Sequence, residues 1–126
     1  MIKNILFVGV GGGMGSILRY LLSMGMMKYY SAGFPIYTFA VNISGCFLIG
    51  LLGSLSENNR IGLHSKLLLI TGFCGGYTTF SAFSAENLYL LKNECYWTSF
   101  LYTAGSIIIG IAAVWLGNLL AGKITG

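Results

Sequence analysis

The side chains here that can do chemistry are few, and most are uncharged. Asn42 stands inside a long apolar run, with Thr38 one helical turn before it on the same face. Tyr102 and Ser106 repeat that spacing in a later run. These residues offer amide and hydroxyl donors, the groups that hydrogen-bond an anion. A buried amide also bonds to neighbouring helices, so Asn42 reads either as interhelical glue or as the lining of a pore. Arg19 is the one cation well inside an apolar segment; it either stands at the mouth of an anion path or snorkels to an interface. Acid–base and metal chemistry is poorly supplied. There is no aspartate, and the one histidine, His64, lies in a polar stretch. Glu57 and Glu94 fall in expected loops, while Glu86, near the end of a span, could face a vestibule. Cys46, Cys74 and Cys95 lie far apart, form no C-x-x-C pair and read as packing residues. This inventory argues against an enzyme.

The elements that carry these residues belong in a membrane. Of 126 residues, 56% are hydrophobic and 8% charged, with mean hydropathy +0.79. A soluble domain carries about 25% charge, so this chain cannot cover a water-facing surface. Spans of about 20 apolar residues are expected over 5–27, 36–55, 67–91 and 98–121, forming one domain over 1–126. The first run has no cleavage pattern and reads as a membrane segment rather than a signal peptide. "KYYSAGFP", "SENNRIGLHSK" and "KNECYW" are the connections, with Tyr96 and Trp97 as interfacial anchors. In "GVGGGMGSILRY" the dinucleotide-binding spacing fails at Met14. Gly9–Gly13 and Gly11–Gly15 form overlapping G-x-x-x-G steps suited to close helix packing.

Four crossings put both termini on one side, with Lys3, Arg60, Lys66 and Lys123; Lys28 and Lys92 fall on the other. So weak a positive-inside bias permits insertion in either orientation, and two opposed copies could pair.

"GFCGGYTTFSAF", residues 72–83, interrupts the third span. Glycine costs about 1 kcal/mol relative to alanine in a helix, so Gly75-Gly76 followed by Thr78-Thr79 predicts a break near the middle. Within hydrocarbon a break persists only where protein, a cavity or an ion satisfies its backbone groups. Freed carbonyls can hold a cation. Beyond the break, Phe80 and Phe83 share a face. Their electropositive ring edges suit an anion path, and ordinary packing is the competing reading.

On "GGMGSILRY" with Arg19, "TFAVNISGCFLIG" with Asn42, and "GFCGGYTTFSAF", the chain resembles the Fluc (CrcB-like) fluoride channels over nearly its whole length. The resemblance implies an all-α membrane protein forming an antiparallel, dual-topology homodimer with two fluoride pathways. It implies passive fluoride export across the bacterial inner membrane, protecting the cell. A structural sodium ion on the dimer axis would be held by the backbone carbonyls of Gly75 and Thr78. Asn42 would donate to fluoride, beside Phe80 and Phe83. Ser81, Thr79, Thr38, Tyr102 and Ser106 would form a polar track, and Arg19 a vestibule. Ala82 and Gly110 stand where relatives carry hydroxyls, which shortens the track. Two rival readings are a proton-coupled multidrug-type exporter and an assembly subunit without transport. The exporter needs a carboxylate in the first span, and none is there.

Overall fold

The computed structural model describes residues 1–27 and 33–126. Four helical segments are long and apolar enough to cross a membrane: Ile2–Met27, Ile36–Glu57, Leu63–Lys92 and Tyr96–Thr125. They contain the four expected spans. Lys28 and most of the "KYYSAGFP" connection lie outside the described residues.

Helix α1 is Ile2–Met27 and α2 is Ile36–Glu57. The third segment is composite. It starts as α3 (Leu63–Lys66), winds as a π-helix over Leu67–Cys74, makes the turn α4 (Gly75–Tyr77), and resumes as α5 (Phe80–Lys92). The last segment is α6 (Tyr96–Thr125).

Two tight helix pairs organise the chain, α2 along α6 and α1 along the π-helix and α4. Both depend on backbone-to-backbone approach, which only glycine permits at the crossing points. A Cβ at Gly11 would overlap the Leu68 carbonyl, one at Gly15 the Phe73 carbonyl, and one at Gly76 the Gly12 carbonyl. Likewise a Cβ at Gly50 would overlap the Val114 carbonyl and one at Gly117 the Phe47 carbonyl. Of the two overlapping glycine steps in α1, the fold therefore uses Gly11–Gly15; Gly9 and Gly13 face open space.

The third segment does break, but not at its glycines. Gly75 has helical dihedrals (φ −63°, ψ −38°), whereas Thr78 and Thr79 are extended. Gly76 is needed for the approach of α1 rather than for the break itself. The π-helix just before the break left no mark in the hydrophobic pattern.

Loop contacts gather the expected basic end. Arg60 Nη2 donates to the Thr125 carbonyl at 3.2 Å, and the His64 ring lies 4.7 Å from that of Phe7. The start of α1, the central loop and the end of α6 thus share one side.

Candidate ion pathway at the helix break

Extended backbone at Thr78–Thr79 removes helical hydrogen bonds, and each group must find another partner. Thr78 still donates its N–H (3.0 Å) and its hydroxyl (2.9 Å) to the Cys74 carbonyl. A continuous helix would give the Thr79 N–H to the Gly75 carbonyl. Here it donates to Asn42 Oδ1 at 2.8 Å, and Asn42 Nδ2 donates back to the Thr79 carbonyl at 3.0 Å. One amide side chain on α2 thus replaces both ladder bonds of the residue at the centre of the break. The Thr79 hydroxyl then starts α5 by accepting from the Ala82 N–H at 3.2 Å, and it lies 3.2 Å from Ser81 Oγ. Among the described residues no hydrogen bond ends on the Gly75 or Thr78 carbonyl.

Beside this junction is a groove of about 320 Å³, lined by Asn42, Cys46, Thr79, Phe80, Phe83 and Ser106 among others. Sequence reasoning named five of these six. Cys46 was read as packing only; its i, i+4 spacing from Asn42 would have put it on the same face. It also stands over Gly110, where a Cβ would lie 3.5 Å from Cys46 Sγ. The sulfur therefore occupies space beside the position that lacks a hydroxyl. Asn42 keeps a second Nδ2 hydrogen beyond the one given to Thr79. The Phe80 and Phe83 ring centroids lie 5.6 Å apart, and Phe83 continues to Tyr102 at 5.0 Å. Phe80 is 78% exposed.

Thr38 and Tyr102 are both buried, but they do not lie in this groove. Thr38 Oγ1 donates to Glu86 Oε1 at 2.5 Å, and Tyr102 Oη donates to Glu86 Oε2 at 2.7 Å. Two hydroxyls expected in the polar track thus converge on one carboxylate. Thr38 and Glu86 open instead into a second, largely apolar recess that also includes Ser23 and Tyr37. The neighbouring Asn87 was missed altogether. Its Oδ1 accepts from Ser99 Oγ (2.7 Å) and Thr103 Oγ1 (3.1 Å), and its Nδ2 donates to the Phe83 carbonyl (3.0 Å). Ser99 and Thr103 are one turn apart on α6, the same spacing that singled out Tyr102 and Ser106. Glu86 and Asn87 thereby tie α5 to α2 and α6 through four hydroxyl donors.

Arg19 is half-buried, and its Nε donates to the Gly76 carbonyl at 3.1 Å. Among the described residues no group of three His, Cys, Asp or Glu is placed to hold a metal.

A family model described as CrcB-like protein, Camphor Resistance (CrcB), matches residues 6–118. This chain's relatives include proteins named "Fluoride-specific ion channel FluC". That of Flavobacterium psychrophilum is 48% identical over 120 residues, covering 94% of this chain and 97% of its own. That of Azobacteroides pseudotrichonymphae is 48% identical over 121 residues, covering 95% and 97%. That of Phocaeicola vulgatus is 47% identical over 115 residues, covering 91% and 95%.

Proposed function

This chain belongs to the CrcB-like family, and from that premise we propose that it is a fluoride-selective channel, a multi-pass protein of the bacterial inner membrane that lets fluoride leave the cell passively. One observation carries the reading: Asn42, Phe80, Phe83 and Ser106 converge on a single groove at the helix break. A channel moves its ion without making or breaking a covalent bond, so the groove needs donors and shape rather than catalytic groups. The free Nδ2 hydrogen of Asn42 and the Ser106 hydroxyl are neutral donors that replace part of the water shell of a small anion. The ring edges of Phe80 and Phe83 add weak electropositive contacts and exclude water. Thr79 and Ser81 extend the donors along the start of α5. Thr38 and Tyr102, fixed on Glu86, shape the neighbouring recess.

The working unit is an antiparallel, dual-topology homodimer. Two features support this. Phe80 is largely exposed in the single chain, and Gly75 is exposed although nothing among the described residues requires glycine there, since a Cβ would meet none of their atoms within 4 Å. Both are understandable if a second copy approaches the break. The carbonyls of Gly75 and Thr78, which receive no donor among the described residues, fit a structural sodium ion. Two copies would supply four oxygens, and the bound ion would offset their converging dipoles.

The test is efflux from liposomes loaded with fluoride and containing the purified protein. Rapid fluoride release is expected; vesicles that retain their fluoride would overturn the proposal. Cysteine labelling at the termini should find each terminus on both faces of the membrane, and a single orientation would overturn the dimer geometry.

A further inference from the structure

The break leaves the Gly75, Gly76, Tyr77 and Thr78 carbonyls without their helical partners, yet it does not treat them alike. Gly76 O is held from α1: Arg19 Nε donates to it at 3.1 Å and Ser16 Oγ at 3.4 Å. Gly75 O, Tyr77 O and Thr78 O receive no such bond among the described residues. The cause can be followed along α1. Gly12, Ser16 and Arg19 are spaced i, i+4 and i+7, so they form one stripe of the helix. Gly12 lets α1 touch α4 backbone to backbone, because a Cβ at Gly76 would overlap the Gly12 carbonyl. That contact brings the next two members of the stripe over the break. The turn bearing Arg19 is fixed in its own right, since Tyr37 Oη donates to the Arg19 carbonyl at 2.5 Å.

We propose that Arg19, with Ser16 beside it, is a positioning residue that fixes which carbonyls the break presents: it holds Gly76 O on the α1 side and so withdraws it from the set open to a cation, which includes Gly75 O and Thr78 O. This rests on the cation reading proposed above. A bond from a guanidinium is charge-assisted and stronger than a neutral one, so it can hold a carbonyl against a competing cation. Without it, Gly76 O keeps only the longer bond from Ser16 Oγ, and the turn before the extended residues loses its firmer tether to α1. The charge of Arg19 then acts first on the backbone and not on an ion in transit.

The test uses the full-length protein in lipid nanodiscs and liposomes, with Arg19→Gln, Arg19→Lys and Ser16→Ala. Three quantities are read: amide hydrogen exchange over residues 76–80, the sodium concentration giving half-maximal thermal stabilisation in an N-methylglucamine background, and fluoride efflux. Arg19→Gln should speed exchange of the break amides, and raise the sodium half-point, by roughly tenfold or more, the equivalent of one charge-assisted hydrogen bond. Arg19→Lys should lie between it and the wild type. Ser16→Ala should shift both readouts in the same direction by a smaller factor, with the fluoride concentration dependence of efflux unchanged. The proposal is overturned if Arg19→Gln lowers efflux while exchange and sodium half-point stay at wild-type values, the pattern of a charge acting directly on the path. Should Arg19→Gln fail to assemble, Arg19→Lys and Ser16→Ala decide by the same readouts. A wild-type protein indifferent to sodium would overturn the cation reading and this proposal with it, while fast exchange in Arg19→Gln would still establish the Arg19 contact on the break.

Discussion

Replacing Asn42 with alanine removes two hydrogen bonds at once and leaves the Thr79 N–H and C=O without partners. Thr79 is only 8% exposed, so water cannot readily take over. Each buried unsatisfied group costs about 1–3 kcal/mol, which puts the loss near 2–6 kcal/mol before relaxation. The break should then either collapse towards helix or open to water, and in both cases Phe80 moves off the groove. Asn42→Asp separates the two roles of the side chain. An aspartate still accepts from the Thr79 N–H, but it sets an oxygen against the Thr79 carbonyl and a negative charge in the anion path. It should abolish fluoride efflux while retaining part of the stability that alanine loses. The assay is thermal unfolding of the purified assembly, followed by efflux from liposomes. An alanine variant as stable as wild type, with wild-type efflux, would refute the claim that Asn42 holds the break.

Phe80→Ile and Phe83→Ile should each lower fluoride efflux while the assembly keeps its size-exclusion elution volume; unchanged efflux in both would mean that the rings only pack. Glu86→Ala removes the carboxylate that accepts from the Thr38 and Tyr102 hydroxyls in a buried site and should destabilise by roughly 1–3 kcal/mol, read as a lower unfolding temperature. Gly11→Ala and Gly15→Ala drive a methyl into backbone carbonyls and should cost about 1–3 kcal/mol or more. Gly9→Ala and Gly13→Ala meet no atom of their own chain, so loss of assembly in these two alone would place that face against a second copy.

How far the sequence could be read depended on the range of the interactions involved. Four spans follow from long apolar runs, because a bilayer accepts little else. The break in the third span could be anticipated from residues 75–79, since helix propensity is local. Which of those residues leave the helix could not, because Asn42, thirty-seven residues away, offers Thr79 an alternative to the helical bond. The glycines were assigned to the wrong task for the same reason: whether Gly76 serves flexibility or close approach depends on where Gly12 lies. Asn42, Thr38 and Tyr102 stood out as polar residues in apolar surroundings, yet only the fold reveals that the last two meet on Glu86. Asn87 escaped notice although it is also an amide within a span; pairing it with the Ser99–Thr103 step on α6 would have found it.

The central claim is that the groove at the break conducts fluoride and discriminates it from other halides. The most direct measurement compares fluoride and chloride efflux from the same liposome preparation, under equal gradients, with the wild-type protein. Fast fluoride release with chloride retained is the predicted result. Chloride release at a comparable rate would contradict it.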